Sequence, residues 1–300
     1  MLRRVLIGLL AGVIAVTIVA GAAVGSLWLS VSGIKREATL LPAAGAPAGG
    51  VPGALNMLLI GADSRAAGAA ANVLLVVHID ADRKQVEVIS LPHNLLVDTT
   101  AAVPTRLNRR YAEGGPVAVV DSVQKLLAIR IDHVALTRME GMSRLIDLLG
   151  KIPVDNPLGT PEFPRGQITL SGEEALAFVR QDGSSGTDLD RAESQRLVLQ
   201  GIVERLLTSN ALLNPGTVKA VLDQLAGDIV VDDGLDPRAM VELFIELRLR
   251  ATPRRPEPIK LPTSGGGVTD NGVPYLLPDR QRVAALGDAL NSDNVDAWVR

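Results

Sequence analysis

The chain has 300 residues, 47% of them hydrophobic, a formal net charge of −3 and no cysteine. That is enough apolar material for a sizeable core in one or two domains. The absence of cysteine excludes disulfides, thiolate metal sites and a cysteine nucleophile. The negative charge and 2% aromatic content leave no platform for general nucleic-acid binding.

Arg3 and Arg4 precede an uncharged run over residues 5–34. A helix of about 20 apolar residues crosses a bilayer, so the run reads as one transmembrane anchor with Trp28 near its far boundary. The rival reading is a cleaved signal peptide, with Ala20, Gly21, Ala22 and Ala23 as small residues for cleavage. The run exceeds the roughly 7–15 residues of a signal core, which favours an uncleaved anchor. The expected localisation is the cell membrane, single-pass. Residues 1–4 are cytoplasmic and the remainder lies outside, although Lys35 and Arg36 flank the far side. Residues 35–54 are rich in Ala, Pro and Gly and lack a repeating apolar face, so they read as a stalk. The globular domain is expected over 55–300.

Residues 56–94 organise that domain. They read NMLLIGADSR, NVLLVVHID and QVEVISLPHN, three short runs of Val, Leu and Ile typical of strands buried on both faces. The tight connection ADRK between the second and third predicts an antiparallel hairpin. Asp63, Ser64 and Arg65 end the first run, and His93 and Asn94 end the third. Open sheets place ligands at such strand ends, although these residues by themselves also suit plain loops.

A loop over 98–104 and RLNRRYAEGG follow, then a helix over 116–130, a strand over 133–137 and a helix over 140–149 stopped by Gly150. Two apolar segments flank a loop over 156–166. Ser171 and Glu174 form a capping box that opens a helix through Val179. In DLDRAESQ, Asp188 or Asp190 caps the next helix and Arg191 and Gln195 share a face four residues apart. A helix N-terminus with an arginine is a ready anion site; the spacing alone favours a solvated face with an Arg–Asp pair. Helices over 217–225, 237–250 and 279–290 alternate with strands over 229–231 and 258–261. Gly265–Gly267 is a loop without the P-loop lysine. The fold class is α/β: a central mixed sheet flanked by helices, preceded by the anchor.

HExxH, GxSxG and GxGxxG patterns are absent, and three histidines do not make a His-rich metal centre. His78, inside an apolar strand, is expected to be packed rather than catalytic. What remains are carboxylates and arginines at strand and helix ends, which suit a Mg²⁺-linked phosphate or pyrophosphate.

Six pieces in order, NMLLIGADSR, VVHIDADRKQVEVISLP, RLNRRYAEGG, IDHVALTRMEGMSRLIDLLG, ITLSGEEALAFVR and TDLDRAESQ, resemble the LytR-CpsA-Psr (LCP) family of cell-envelope proteins. The resemblance implies transfer of a glycopolymer from a polyprenyl-pyrophosphate carrier onto peptidoglycan, with Mg²⁺ on the pyrophosphate, arginines holding it and an apolar pocket for the lipid. It implies Asp63 and Asn72 as metal ligands and Asp63, Arg65, Arg180, Asp188 and Arg191 as catalytic residues. Arg106, Asn108, Arg180, Arg191, Gln195 and His93 are then the substrate-binding residues. The departures lie at charged positions. Ala70 and Asn72 stand for the arginine and aspartate of Arg-Ser-Asp-Thr, His93 and Asn94 for the Arg-Asp of Pro-Arg-Asp, and Asp182 for the second arginine of Arg-x-Arg. The alternative is therefore a paralogue that binds the carrier lipid or an envelope partner without turnover. A transcriptional role is discounted, because an external, net-negative domain has no route to DNA.

Overall fold

The computed structural model describes residues 25, 28–42, 47, 49–62, 71–97, 105–157, 159–180, 194, 197, 198, 201, 202, 205, 219, 220, 223, 226–250, 259–269 and 272–299. Residues 72 and 138 are described by their backbone alone. In chain order the strands are β1 (Lys35–Arg36), β2 (Leu55–Ala62), β3 (Ala71–Ile79), β4 (Val86–Ser90), β5 (Leu96–Val97), β6 (Thr105–Arg106), β7 (His133–Arg138), β8 (Ile152–Asn156), β9 (Gly166–Leu170), β10 (Ile229–Val231), β11 (Ile259–Lys260), β12 (Thr263–Val268) and β13 (Pro274–Pro278). The helices are α1 (Leu107–Leu127), α2 (Met139–Leu149), α3 (Gly172–Arg180), α4 (Pro237–Arg250), α5 (Arg280–Asn291) and α6 (Val295–Val299).

Seven strands form a mixed sheet in the order β1-β10-β7-β2-β3-β4-β11. The expected hairpin is present: β2 pairs antiparallel with β3, and β3 with β4. On the other side β2 pairs parallel with β7. The strands are buried on both faces because both are covered. Leu58, Ile60, Leu74, Val76 and Ile89 face Val119, Val120, Val123 and Leu127 of α1 and Val283, Leu286 and Leu290 of α5. Val73, Leu75 and Val88 face Met142 and Ile146 of α2, Phe178 and Val179 of α3, and the β8–β9 hairpin. Each CH₂ buried this way contributes about 0.8 kcal/mol, so the alternating faces of β3 hold the two layers together.

Local sequence sets most boundaries. Ser171 N–H donates to Glu174 Oε2 at 2.7 Å and Glu174 N–H to Ser171 Oγ at 3.3 Å, the reciprocal capping box. Gly150 takes φ +82° just after α2, as a helix C-terminus asks. Asp279 caps α5 by accepting from the Arg282 N–H at 3.1 Å.

The structure departs from the sequence expectation in four places. The folded unit starts before Leu55: Lys35 and Arg36 pair in parallel with Val230 and Val231, and Leu40 is buried in the main core. Charged side chains hide such an edge strand, because its pairing uses backbone groups only. Val31 and Ile34, at the end of the expected anchor, pack against Val231, Leu235 and Val241. Among the described residues no helix is long and apolar enough to cross a membrane; residues 5–24 of the expected anchor lie outside them. The helix expected from 116 is present, but a further helical piece precedes it from Leu107, where Leu107 and Tyr111, four apart, bury one face. The two pieces are joined at Gly114 and Gly115, whose φ/ψ are non-helical, with Pro116 opening the second. Finally, the glycines 265–267 lie in β12, paired with β13. A Cβ on Gly266 would stand 2.3 Å from the Tyr275 carbonyl, which explains why this strand lacks side chains there. The helix expected over 217–225 lies largely outside the described residues.

His78 is packed, as expected. It is 2% exposed and lies between Asn56 Oδ1 at 2.8 Å and Asp293 Oδ1 at 2.9 Å. Burial pulls its pKa below the ordinary value, and the opposing pulls of Asp293, Asp80 and Asp132 do not offset it. The folded state then binds fewer protons than the unfolded state as pH falls through about 6.5, so stability drops on that side. The urea midpoint of the wild type should fall between pH 7.5 and 5.5 more steeply than that of His78→Gln. Parallel profiles would show that this ring does not couple folding to pH.

Candidate functional site

One edge of the sheet gathers the strand ends. β2 ends at Ala62, which pairs with Ala71 at the start of β3 and with Arg138 at the end of β7. β4 runs antiparallel to β3, with Ser90 opposite Leu75, so Leu91–Asn94 leave the sheet at this same edge. β10 begins there too, with Ile229 opposite Thr137. Asp63, next in the chain after Ala62, and Arg65 lie outside the described residues.

Asn72 occupies a bulge. Gly61 pairs with Val73 and Ala62 with Ala71, so Asn72 has no residue opposite. The extra residue also reverses the pleat. Val73 packs in the α2–α3 layer while Ala71 packs in the α1 layer, although two residues apart in a regular strand share a face. Bulges of this kind re-aim a side chain. The bulge sets Asn72 one residue from the register partner of Ala62, at the end of β2.

The His93 loop carries the second wall. His93 carbonyl accepts from Asn108 N–H at 2.8 Å, and Leu95 carbonyl accepts from Leu107 N–H at 2.8 Å. Leu96 pairs with Arg106 between β5 and β6. These bonds bring four expected or adjacent site residues together: His93, Asn94, Arg106 and Asn108. The placement follows from the short α1 piece, which is docked by Leu107 and Tyr111 in the core. Arg106, half-buried, is its N-terminal cap residue.

Arg180, exposed, ends α3. The two residues before it, Phe178 and Val179, pack in the same cluster as Val73. Asp188, Arg191, Gln195 and Asp182 lie outside the described residues.

Two residues at this edge carry no sequence signal. Asp228, 3% exposed and just before β10, is gripped by Arg144 through Nε at 3.1 Å and through Nη2. Gly141 makes room: its Cβ would lie 2.8 Å from Asp228 Cβ. The pair is 84 residues apart, so no local spacing reveals it. Chemically, the edge offers oxygen donors suited to a hard cation and guanidinium groups suited to phosphate oxygens. Among the described residues no group of three or more His, Cys, Asp or Glu side chains could hold a metal ion. A metal here would rest on the Asp63 and Asn72 pair, one carboxylate and one amide.

Comparison with known proteins fixes the class. The LytR_cpsA_psr family matches residues 43–292, and the chain belongs to that family. It is 28% identical over 249 residues to a polyisoprenyl-teichoic acid–peptidoglycan teichoic acid transferase TagU of Enterococcus faecalis, covering 79% of this chain and 78% of that protein. Its fold matches the crystal structure of B. subtilis TagV with a TM-score of 0.66 at 22% identity, over 81% of this chain and 97% of that one. It also matches the LytR-Csp2A-Psr enzyme from Actinomyces oris with a TM-score of 0.64 at 21% identity, over 86% and 96% of the two chains.

Proposed function

We propose that the chain transfers a glycopolymer from a polyprenyl-pyrophosphate carrier to peptidoglycan, as the names of its relatives suggest for them. The observation that carries this reading is the shared sheet edge. The end of β2 and the bulge in β3 lie at this edge, as does the loop carrying His93, which is joined to Arg106 and Asn108; Asp63 follows Ala62 directly in the chain. Asp63 and Asn72 are the residues that would hold Mg²⁺, whose charge would offset that of the pyrophosphate. Arg65, Arg106, Arg180 and Arg191 take the phosphate oxygens as charged hydrogen-bond donors, each contributing about 1.5–3 kcal/mol. Gln195 donates a neutral hydrogen bond to a phosphate oxygen, and Asp188 orients an arginine or the acceptor.

The uncharged run over residues 5–29 supports a single-pass anchor with the N-terminus in the cytoplasm and the domain outside. Because Val31 and Ile34 already pack on the domain, no long stalk separates it from the membrane surface. The neutral side chains of Asn72, His93 and Asn94 favour a second reading, a paralogue that holds the carrier without turnover. The test is a transfer assay with the full chain in detergent, a polyprenyl-pyrophosphate-linked oligosaccharide, Mg²⁺ and a peptidoglycan oligosaccharide. A phosphodiester-linked product is expected. Carrier binding without product would move the assignment to the second reading.

A further inference from the structure

The polar atoms around the His93 loop are not balanced. Asn94 is fully buried, at 0% exposure. Neither its Oδ1 nor its Nδ2 meets a hydrogen-bond partner among the described residues. Asn108 Oδ1 is buried in the same condition. The hydrogen bond from Asn108 N–H to His93 carbonyl, 2.8 Å, makes the two segments neighbours. A buried amide left unpaired costs its full desolvation, and groups that break this rule cluster where a ligand completes them.

Two carbonyl oxygens and one amide N–H₂ suit a ligand group that both donates and accepts, which is the character of an alcohol. On the same loop sits an imidazole, His93, 6% exposed. His133 begins β7 and His78 pairs against β2 near Asn56, so both lie toward the opposite end of the strands. His93 is the imidazole at the strand edge where its loop meets Arg106 and Asn108. Imidazole, with an ordinary pKa of about 6.5, is suited to accept a proton at neutral pH. The charged groups on segments packed against this loop are Arg106 on β6 and Arg109, Arg110 and Glu113 on α1, where Glu113 pairs with both arginines. The β13 strand, PYLLP, which donates Leu276 N–H to Asn94 carbonyl at 3.1 Å, adds none.

We propose that His93, Asn94 and Asn108 form the acceptor subsite for a carbohydrate hydroxyl, with His93 as its general base. The inference rests on the transferase reading above. In the step, the acceptor O–H bond breaks and its proton passes to a His93 ring nitrogen. The oxygen forms a bond to the phosphorus that carries the glycopolymer. The bond from that phosphorus to the bridging oxygen breaks, and its electron pair leaves with polyprenyl phosphate. Asn94 and Asn108 hold the hydroxyl-bearing sugar. Because the amide atoms are covered, the β13 strand or the His93 ring shifts when the acceptor enters.

The test compares wild type, His93→Gln and His93→Arg in the same transfer assay across pH 5 to 9, with carrier binding measured in parallel. General-base loss is expected to lower kcat by about 10²–10⁴-fold and to remove the acidic limb of the profile in both variants, at carrier concentrations that saturate each of them. Asn94→Ala is expected to raise KM for the acceptor oligosaccharide and leave carrier affinity unchanged. Wild-type transfer with an unchanged pH profile in both His93 variants would overturn this proposal alone. Absence of transfer by the wild type would overturn the transferase reading and this proposal with it.

Discussion

Replacing Arg191 by alanine is expected to cut glycopolymer transfer at least about 10²-fold and to leave the fold in place. Arg191 stands in DLDRAESQ, a segment whose sequence is read as an acidic cap followed by an arginine, the pattern of an anion site. A charged donor aimed at developing phosphate charge is worth about 3–4 kcal/mol in the transition state, or about 10²–10³ in rate. Leu197 and Val198, further along the chain, pack with Phe178 and Ile146, and the variant is expected to keep that packing. Transfer rate and a thermal melt measured on one preparation check the claim. Unchanged transfer in a folded variant would move the pyrophosphate away from Arg191.

The second large effect belongs to a glycine. A Cβ on Gly172 would lie 2.1 Å from the Ser143 carbonyl and 2.7 Å from Asp147 Oδ2. The backbone of α3 is held against α2 by the Gly172 N–H, which donates to Asp147 Oδ1 at 2.8 Å. The obstacle is main chain, so a rotamer change cannot relieve it and α3 must move off α2. Overpacking of this severity costs about 3 kcal/mol, which lowers Tm by about 6–12 °C in a domain of this size. Gly172→Ala should show that drop by calorimetry. It should also lose transfer activity at temperatures where it remains folded, because α3 ends in Arg180. A melting temperature equal to that of wild type would show that the two helices have room to spare.

Much of the sheet was legible. NVLLVVHI predicts a strand because eight residues without a breaker and without a helical polar face can be buried only between two layers, and β3 lies between two layers. The reciprocal bonds of Ser171 and Glu174 and the φ of Gly150 were legible because capping is local chemistry. β1 was not legible. Lys35 and Arg36 look like flanking charges, and only the distant Val230–Val231 backbone gives them partners. β12 was hidden by its glycines: Gly266 and Gly267 lie close against Tyr275, and Gly265 takes φ +133°.

The site divides in the same way. Polar residues at strand ends point to one edge of the sheet, since chain direction and pairing follow from the strand pattern, and the structure joins His93, Arg106 and Asn108 there. The bulge at Asn72, the Arg144–Asp228 grip and the unpaired amide of Asn94 depend on register and burial, which no short spacing encodes. The family resemblance added the roles of Asp63, Asn72 and the arginines, and the family match over residues 43–292 supports the resemblance itself. The roles of the individual residues rest on chemistry and placement, and the variants above address them one at a time.

The most direct test of a metal-assisted pyrophosphate site is Mg²⁺-dependent binding of a polyprenyl pyrophosphate to the full chain in detergent, measured for wild type and Asp63→Ala. The account predicts wild-type binding that weakens at least about tenfold when Mg²⁺ is chelated, and a comparable loss in Asp63→Ala with Mg²⁺ present. Binding of equal strength in all three conditions, or no binding by the wild type, would contradict it.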